Sequence, residues 1–187
     1  MDQAVPSSIN TPHFVKTSPH ERLTTVAVDP SVPTSNGQAV DVLYIGTTRG
    51  RLLKMVSHLS PNGEPKTTLI EELQIFPLHV PVSNILVVRS GLEEPRVILL
   101  SQHEVKSVPL SRCHSSNIQT CGECVALQDP YCAWSARTQR CTKLTESSED
   151  LSSLLQNIAG GRHSGCPSIS SAIPGNYARK CCYMLAC

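Results

Sequence analysis

All nine cysteines of this 187-residue chain lie between Cys113 and Cys187, and residues 1–112 contain none. Cysteine at that density in a short stretch reads as a disulfide scaffold, and such scaffolds belong to oxidising compartments. The chain therefore divides into a part that must hold itself by an ordinary apolar core and a smaller part stapled covalently. The first residues, Met1–Phe14, have neither the basic n-region nor the apolar h-region of a signal peptide. The two readings agree if the chain is a C-terminal piece of a longer secreted or cell-surface protein, and that is the expectation. Lys plus Arg number 16 against 15 Asp plus Glu. That balance argues against a dedicated nucleic-acid binder, which carries a basic patch and a high pI. The longest apolar runs, Ile85–Val88 and Val97–Leu100, fall far short of the ~18 residues of a membrane helix.

Residues 1–22 carry Pro6, Pro12 and Pro19 among Ser and Thr and read as an irregular lead-in. Short apolar runs with period-2 character follow. Leu23–Val28 ends at Asp29-Pro30, and Val40–Ile45 is followed by Gly46-Thr-Thr-Arg-Gly50. Then come Arg51–Val56, Thr67–Phe76, Ser83–Val88, Arg96–Leu100 and Glu104–Leu110. Strands at this spacing, with Gly, Pro and Asn between them, predict antiparallel β architecture; sandwich, barrel and propeller all remain open on that pattern. Leu23–Phe76 reads as a four-strand unit and Ser83–Leu110 as three strands of a second, which suits propeller blades.

Candidate chemistry in the cysteine-free part is thin. Gly46-x3-Gly50 lacks the Lys-Ser/Thr that follows the glycines of a phosphate loop, so a hairpin turn with Gly50 at positive φ is expected. Glu71-Glu72 and Glu93-Glu94 are adjacent pairs, and neighbouring strand residues point to opposite faces, so solvated positions are expected rather than an acid–base couple. His13, His20, His58, His79 and His103 are scattered and are expected at the surface.

The cysteines run Cys113-x7-Cys121-x2-Cys124-x7-Cys132-x8-Cys141-x24-Cys166. Six cysteines permit 15 disulfide connectivities. Cys121-x2-Cys124 with His163-x2-Cys166 also has the ligand spacing of an intracellular Cys3His zinc module, although that leaves Cys113, Cys132 and Cys141 unexplained. An enzyme built on a cysteine nucleophile would need a thiolate beside a base, and no such pairing stands out. No catalytic residue, metal or cofactor is therefore assigned.

The segment from Cys121 to Trp134, with its Asp129-Pro130-Tyr131-Cys-Ala-Trp134 core, resembles the PSI module of semaphorins. Thr11–Pro19, Ala27–Pro30 and Asp41–Val56 resemble the last part of a sema domain, and Val105–Cys113 resembles the join into PSI. The resemblance, to the invertebrate transmembrane semaphorins in particular, covers about residues 11–168. It implies a mainly β chain: the last one to two blades of a seven-bladed propeller, about blade six and part of blade seven, at residues 23–110. A cysteine-knot-like PSI domain with one short helix follows at 113–168, and residues 169–187 are an unmatched tail. The family pairing, carried over, gives Cys113–Cys132, Cys121–Cys166 and Cys124–Cys141, with Trp134 packed over the bridges. It implies an extracellular or plasma-membrane-anchored guidance ligand that binds plexin receptors, homodimerises, and repels axons and migrating cells. The receptor-binding surface lies mainly on blades outside these residues. A PSI spacer in a plexin- or Met-like receptor is the alternative. No nucleic acid and no small-molecule substrate are implied.

Two further features stand beside the resemblance. Leu151, Leu154, Leu155 and Ile158 fall at i, i+3, i+4 and i+7, which predicts a one-sided helix over Glu149–Ala159. Ser147 with Asp150 fits its capping box and Gly160-Gly161 its stop. Cys181, Cys182 and Cys187 have no place in the PSI pattern, and a truncated or misread transcript or an alternative C-terminus is the preferred account over a juxtamembrane palmitoylation cluster.

Overall fold

The computed structural model describes residues 12, 14–60, 64–89, 94–114, 118–144 and 150–167. Residues 169–187, with their three cysteines, and the positions His13, Glu93 and Ser147 lie outside the described residues.

Four strands, β1 (Leu23–Pro33), β2 (Ala39–Thr47), β3 (Arg51–Leu59) and β4 (Pro65–Gln74), form an antiparallel meander in chain order. A second meander follows, of β5 (Asn84–Val88), β6 (Arg96–Leu100) and β7 (Val105–Pro109). These are the seven runs that the alternation of the sequence marks out. One boundary moves. β1 does not stop at Asp29-Pro30 but continues to Pro33, because the register slips between Asp29 and Val32. The bulge absorbs the missing proline N–H, with Ser31 at φ +55° and its N–H donating to Asp41 Oδ1 at 2.9 Å.

Pairing fixes which side chains face inward. Val42 lies opposite Val56, Tyr44 opposite Lys54 and Gly46 opposite Leu52, and Ala27 and Asp29 continue that face on β1. The face packs on the second meander through Val32, Val42, Tyr44, Leu52, Val56, Phe76, Val82, Ile85, Val97 and Leu99, all at most 3% exposed. The opposite face of the first sheet carries Ile45, Leu53 and Met55, joined by Phe14, while Val26 and Val28 on β1 are 58% and 48% exposed.

The β2–β3 hairpin depends on its glycine. Gly50 sits at φ +69° with its N–H donating to Thr47 O at 3.2 Å. A Cβ there would meet Phe76 O at 2.6 Å and Val80 O at 2.8 Å. Gly37 has a similar φ of +78°, with no atom within 4 Å of a built Cβ. Gly50→Ala should therefore cost about 2–3 kcal/mol, left-handed strain plus a backbone clash, against about 1 kcal/mol for Gly37→Ala. Urea midpoints of the two variants check the ordering.

The cysteine-rich part folds as helix α1 (Cys121–Ala126) and a small sheet of β8 (Cys132–Ser135), β9 (Arg140–Lys143) and β10 (Leu154–Leu155), in the order β10-β8-β9. Thr120 caps α1. Its hydroxyl accepts from the Glu123 N–H at 3.3 Å, and Glu123 Oε2 accepts from the Thr120 N–H at 2.9 Å, a reciprocal capping box. Cys121, Cys124 and Val125, at i, i+3 and i+4, make the buried face.

The helix expected over Glu149–Ala159 is not formed. Leu151–Ser153 is a single 3-10 turn and Leu154–Leu155 is β10, paired to Ser135 and Trp134. The four apolar residues serve different surroundings. Leu154 is buried with Ala133 and Leu144, Leu155 lies against the cysteine cluster, Ile158 packs on the two-sheet core, and Leu151 is 40% exposed. Asp150 acts through its carbonyl, which accepts from the Ser153 N–H at 2.9 Å.

Candidate functional site

The interior face of β1–β3 carries two charges among apolar residues, Asp29 and Lys54, and both are met by the segment just before β8. The Lys54 ammonium donates to Asp129 Oδ2 at 2.5 Å and to Leu110 O at 2.6 Å, and it stands 4.7 Å from the centre of the Tyr131 ring. Asp129 Oδ1 also accepts from the Tyr131 N–H at 3.0 Å. The Tyr131 hydroxyl donates to Asp29 Oδ2, and Tyr44 Oη lies 3.4 Å from Tyr131 Oη. Arg89, just past β5, closes the group: its Nε and Nη2 reach the two Asp29 oxygens at 3.0 and 2.5 Å.

Two carboxylates and two cations thus balance, each held by directed bonds, which is the condition under which charge is tolerated in a protein interior. The Lys54 side chain is 3% exposed and Asp29 5%. Three separate elements meet here: the first sheet, the second sheet and the disulfide module. Gln156 adds a fourth link. Its Oε1 accepts from the Ser35 N–H at 2.9 Å, and its Nε2 donates to Cys132 O at 2.8 Å. A cavity of about 140 Å³ lies at the same junction, lined by Val32, Pro33, Arg89, Leu110, Tyr131 and Leu144 among others.

Burial pushes both tyrosine hydroxyls well above the usual tyrosine range, reinforced at Tyr131 by the neighbouring Tyr44 and the Asp29 carboxylate. The hydrogen bonds that Asp29 accepts from Arg89 hold the guanidinium still more firmly protonated. The sign for the tyrosines follows: the folded chain keeps these two protons more tightly than the unfolded one. Stability should therefore be unaffected below about pH 10 and fall as pH rises beyond it. Absorbance at 295 nm should show Tyr44 and Tyr131 ionising only together with unfolding. Ionisation of both in the folded chain at the ordinary tyrosine pH would contradict the network.

The six predicted bridge cysteines are brought together in three pairs: Cys113–Cys132, Cys121–Cys166 and Cys124–Cys141. Trp134, 5% exposed, packs within their cluster. Pro130 is fully buried and Gly50 holds the β2–β3 turn. The zinc reading would need Cys121, Cys124 and Cys166 on one ion, but these sulfurs belong to two bridges, and His163 Nδ1 accepts from the Gly165 N–H at 3.0 Å. Glu72 and Glu94 are exposed and Glu71 partly so, as expected of solvated positions, and each also takes an ion-pair partner. Glu71 meets Arg112 at 2.8 Å, Glu72 meets Arg51 at 2.5 Å and Glu94 meets Lys143 at 2.5 Å. Sequence reasoning singled out Asp129 and Tyr131 but missed Asp29, Lys54, Arg89 and Gln156. Parity could have found Lys54, which shares a strand face with Leu52 and Val56.

Comparison with known proteins places these elements. Residues 1–89 match the Sema domain model and residues 112–167 the Plexin repeat (PSI) model. Semaphorin-1A of Schistocerca americana is 40% identical over 172 residues, which are 89% of this chain and 23% of that protein. The solved Drosophila Semaphorin 1a, extracellular domains 1-2, superposes with a TM-score of 0.73 at 36% identity, over 89% of this chain and 33% of that one. A structure titled Drosophila Plexin A in complex with Semaphorin 1b matches with a TM-score of 0.72 at 36% identity, over 85% of this chain and 32% of that one. The chain thus spans about a quarter of the length of the first of these relatives.

Proposed function

Because this chain belongs to the semaphorin family, joining propeller-type sema blades to a disulfide-bonded PSI domain, we propose that it serves in an extracellular guidance ligand. The ligand binds plexin receptors and steers axons and migrating cells, by repulsion. The observation that carries this reading is the likeness, over 85% of the chain at 36% identity, to a structure whose title names a semaphorin with Plexin A. The three bridges suit an oxidising, extracellular setting. Among the described residues no helix is long and apolar enough to cross a membrane.

The described residues divide the work in a particular way. PSI is clamped to the sema sheets by the balanced network of Asp29, Lys54, Arg89, Asp129 and Tyr131, so it acts as a rigid continuation of the propeller that orients what it carries. Receptor contact rests mainly on sema surface beyond these residues. The ligand acts by binding, without a catalytic step, cofactor or small-molecule substrate, and as a homodimer.

Binding to a clustered plexin ectodomain checks both parts. A protein with a complete sema domain ending in this chain should bind saturably, and the 187-residue chain alone should not. Tight saturable binding by the short chain would defeat the division of labour. Absence of binding by both would defeat the ligand reading.

A further inference from the structure

We propose that Cys121–Cys166 is an exchangeable clasp: an external thiol opens it, modifies Cys166, and thereby loosens PSI from the β1–β2 hairpin. The three bridges differ sharply in access. Cys113, Cys132, Cys124 and Cys141 are 1–4% exposed, and Cys121 is 5% exposed, whereas Cys166 is only partly buried. Attack on a disulfide requires the thiolate to reach one sulfur in line with the bond it breaks, and Cys166 is the one bridge cysteine that is not fully buried.

The step balances without any further reagent. A low-molecular-weight thiolate bonds to Cys166 Sγ, the sulfur–sulfur bond breaks, and Cys121 leaves as a thiolate that takes a proton from water. A second molecule of the thiol attacks the reagent sulfur on Cys166, that sulfur–sulfur bond breaks, Cys166 leaves as a thiolate that takes a proton, and the two reagent molecules depart as their disulfide.

The consequence follows from what Cys166 anchors. The bridge fastens the far end of a strap that begins at β10 and carries Gln156, whose side chain joins the Ser35 N–H of the β1–β2 hairpin to Cys132 O in PSI at 2.9 and 2.8 Å. Downstream, Ile158 O accepts from Gln128 Nε2 at 2.7 Å, and the Asn157 side chain bonds Arg162 O at 2.6 Å, inside the strap itself. Opening the clasp leaves the two-residue β10 pairing, the packing of Leu154, Leu155 and Ile158, and these hydrogen bonds to hold the strap. The other two bridges keep α1, β8 and β9 together, so the module stays folded while its grip on the hairpin slackens.

The test treats the whole chain, with Cys181, Cys182 and Cys187 blocked beforehand by alkylation, with graded reduced glutathione under native conditions. Trapped thiols are then mapped by peptide mass, and amide exchange is read at Ser35. The expected result is glutathione on Cys166 and a free Cys121 at least about tenfold ahead of the four other cysteines, with faster exchange at Ser35 in the same samples. Opening of Cys113–Cys132 or Cys124–Cys141 first, or all three bridges together, overturns the proposal. So does opening of Cys121–Cys166 with Ser35 protection unchanged. The Cys121→Ser/Cys166→Ser variant should show the same fast exchange at Ser35 with no thiol added, and wild-type protection there would also overturn it.

Discussion

Lys54→Ala is expected to destabilise the chain by about 3–5 kcal/mol, the cost of leaving a buried carboxylate without its partner. The ammonium it removes is 3% exposed and supplies bonds to both Asp129 and the Leu110 carbonyl. Water cannot take its place readily, since Leu52 and Val56 on the same strand face are at most 2% exposed. Arg112→Ala breaks an ion pair of similar length, at 2.8 Å to Glu71, but with 44% of the arginine side chain exposed. That change should cost no more than about 1 kcal/mol. Urea unfolding of the two variants gives the comparison directly. A Lys54→Met/Asp129→Leu double variant should recover part of the loss, because an apolar pair needs no compensating charge.

Removing the Cys113–Cys132 bridge is the second large effect. Replacing both cysteines by serine releases a 19-residue span, which in the chain-entropy account costs about 3 kcal/mol. The site adds to that. Both sulfurs sit in residues at most 2% exposed, and Cys113 Sγ lies 3.6 Å from Tyr131 O. The bridge therefore supports the backbone that presents Tyr131 to Asp29, and two buried hydroxyls would be left in an apolar cluster. A total of about 3–5 kcal/mol is expected, read by calorimetry or urea. Loss of near-ultraviolet signal from Tyr131 and Trp134 should precede loss of the strand signal.

What could be read in the sequence was the part governed by short-range pattern. Period-2 alternation marked all seven strands of the two meanders, and Arg96–Leu100 came out with the boundaries observed for β6. β1 ran on past Asp29-Pro30 because a bulge lets a strand carry a proline, and no local signal announces a bulge. The helix expected at Glu149–Ala159 failed for a different reason. Its i, i+3, i+4, i+7 spacing is real, but the Cys121–Cys166 bridge and the pairing of Leu154 with Ser135 draw the segment out along the module. Long-range closure outweighed a weak local preference. The helix that does form, Cys121–Ala126, hid because two of the three residues of its buried face are cysteines, although Thr120 and Glu123 have the spacing of a capping box.

The junction was only half legible. Asp129 and Tyr131 drew notice through a motif, and Lys54 could have done so as a charge at an inward position. Asp29 reads as a turn residue before proline, Arg89 follows a strand end, and Gln156 works through backbone carbonyls and an amide. None of these leaves a periodic trace. Partners 60 to 121 positions apart, such as Asp29 with Arg89 or Ser35 with Gln156, are set by the fold of two units against each other.

The central claim is that buried charge pairing locks PSI to the sema sheets, and a double-mutant cycle on Lys54→Met and Asp129→Asn tests it most directly. Unfolding free energies of the wild type, both single variants and the double variant would be measured with all disulfides intact. The account predicts strong non-additivity, the double variant being more stable than the sum of the singles by about 1.5 kcal/mol or more. Additivity within about 0.5 kcal/mol would mean that the two groups do not sense each other, and the junction would not be held as described.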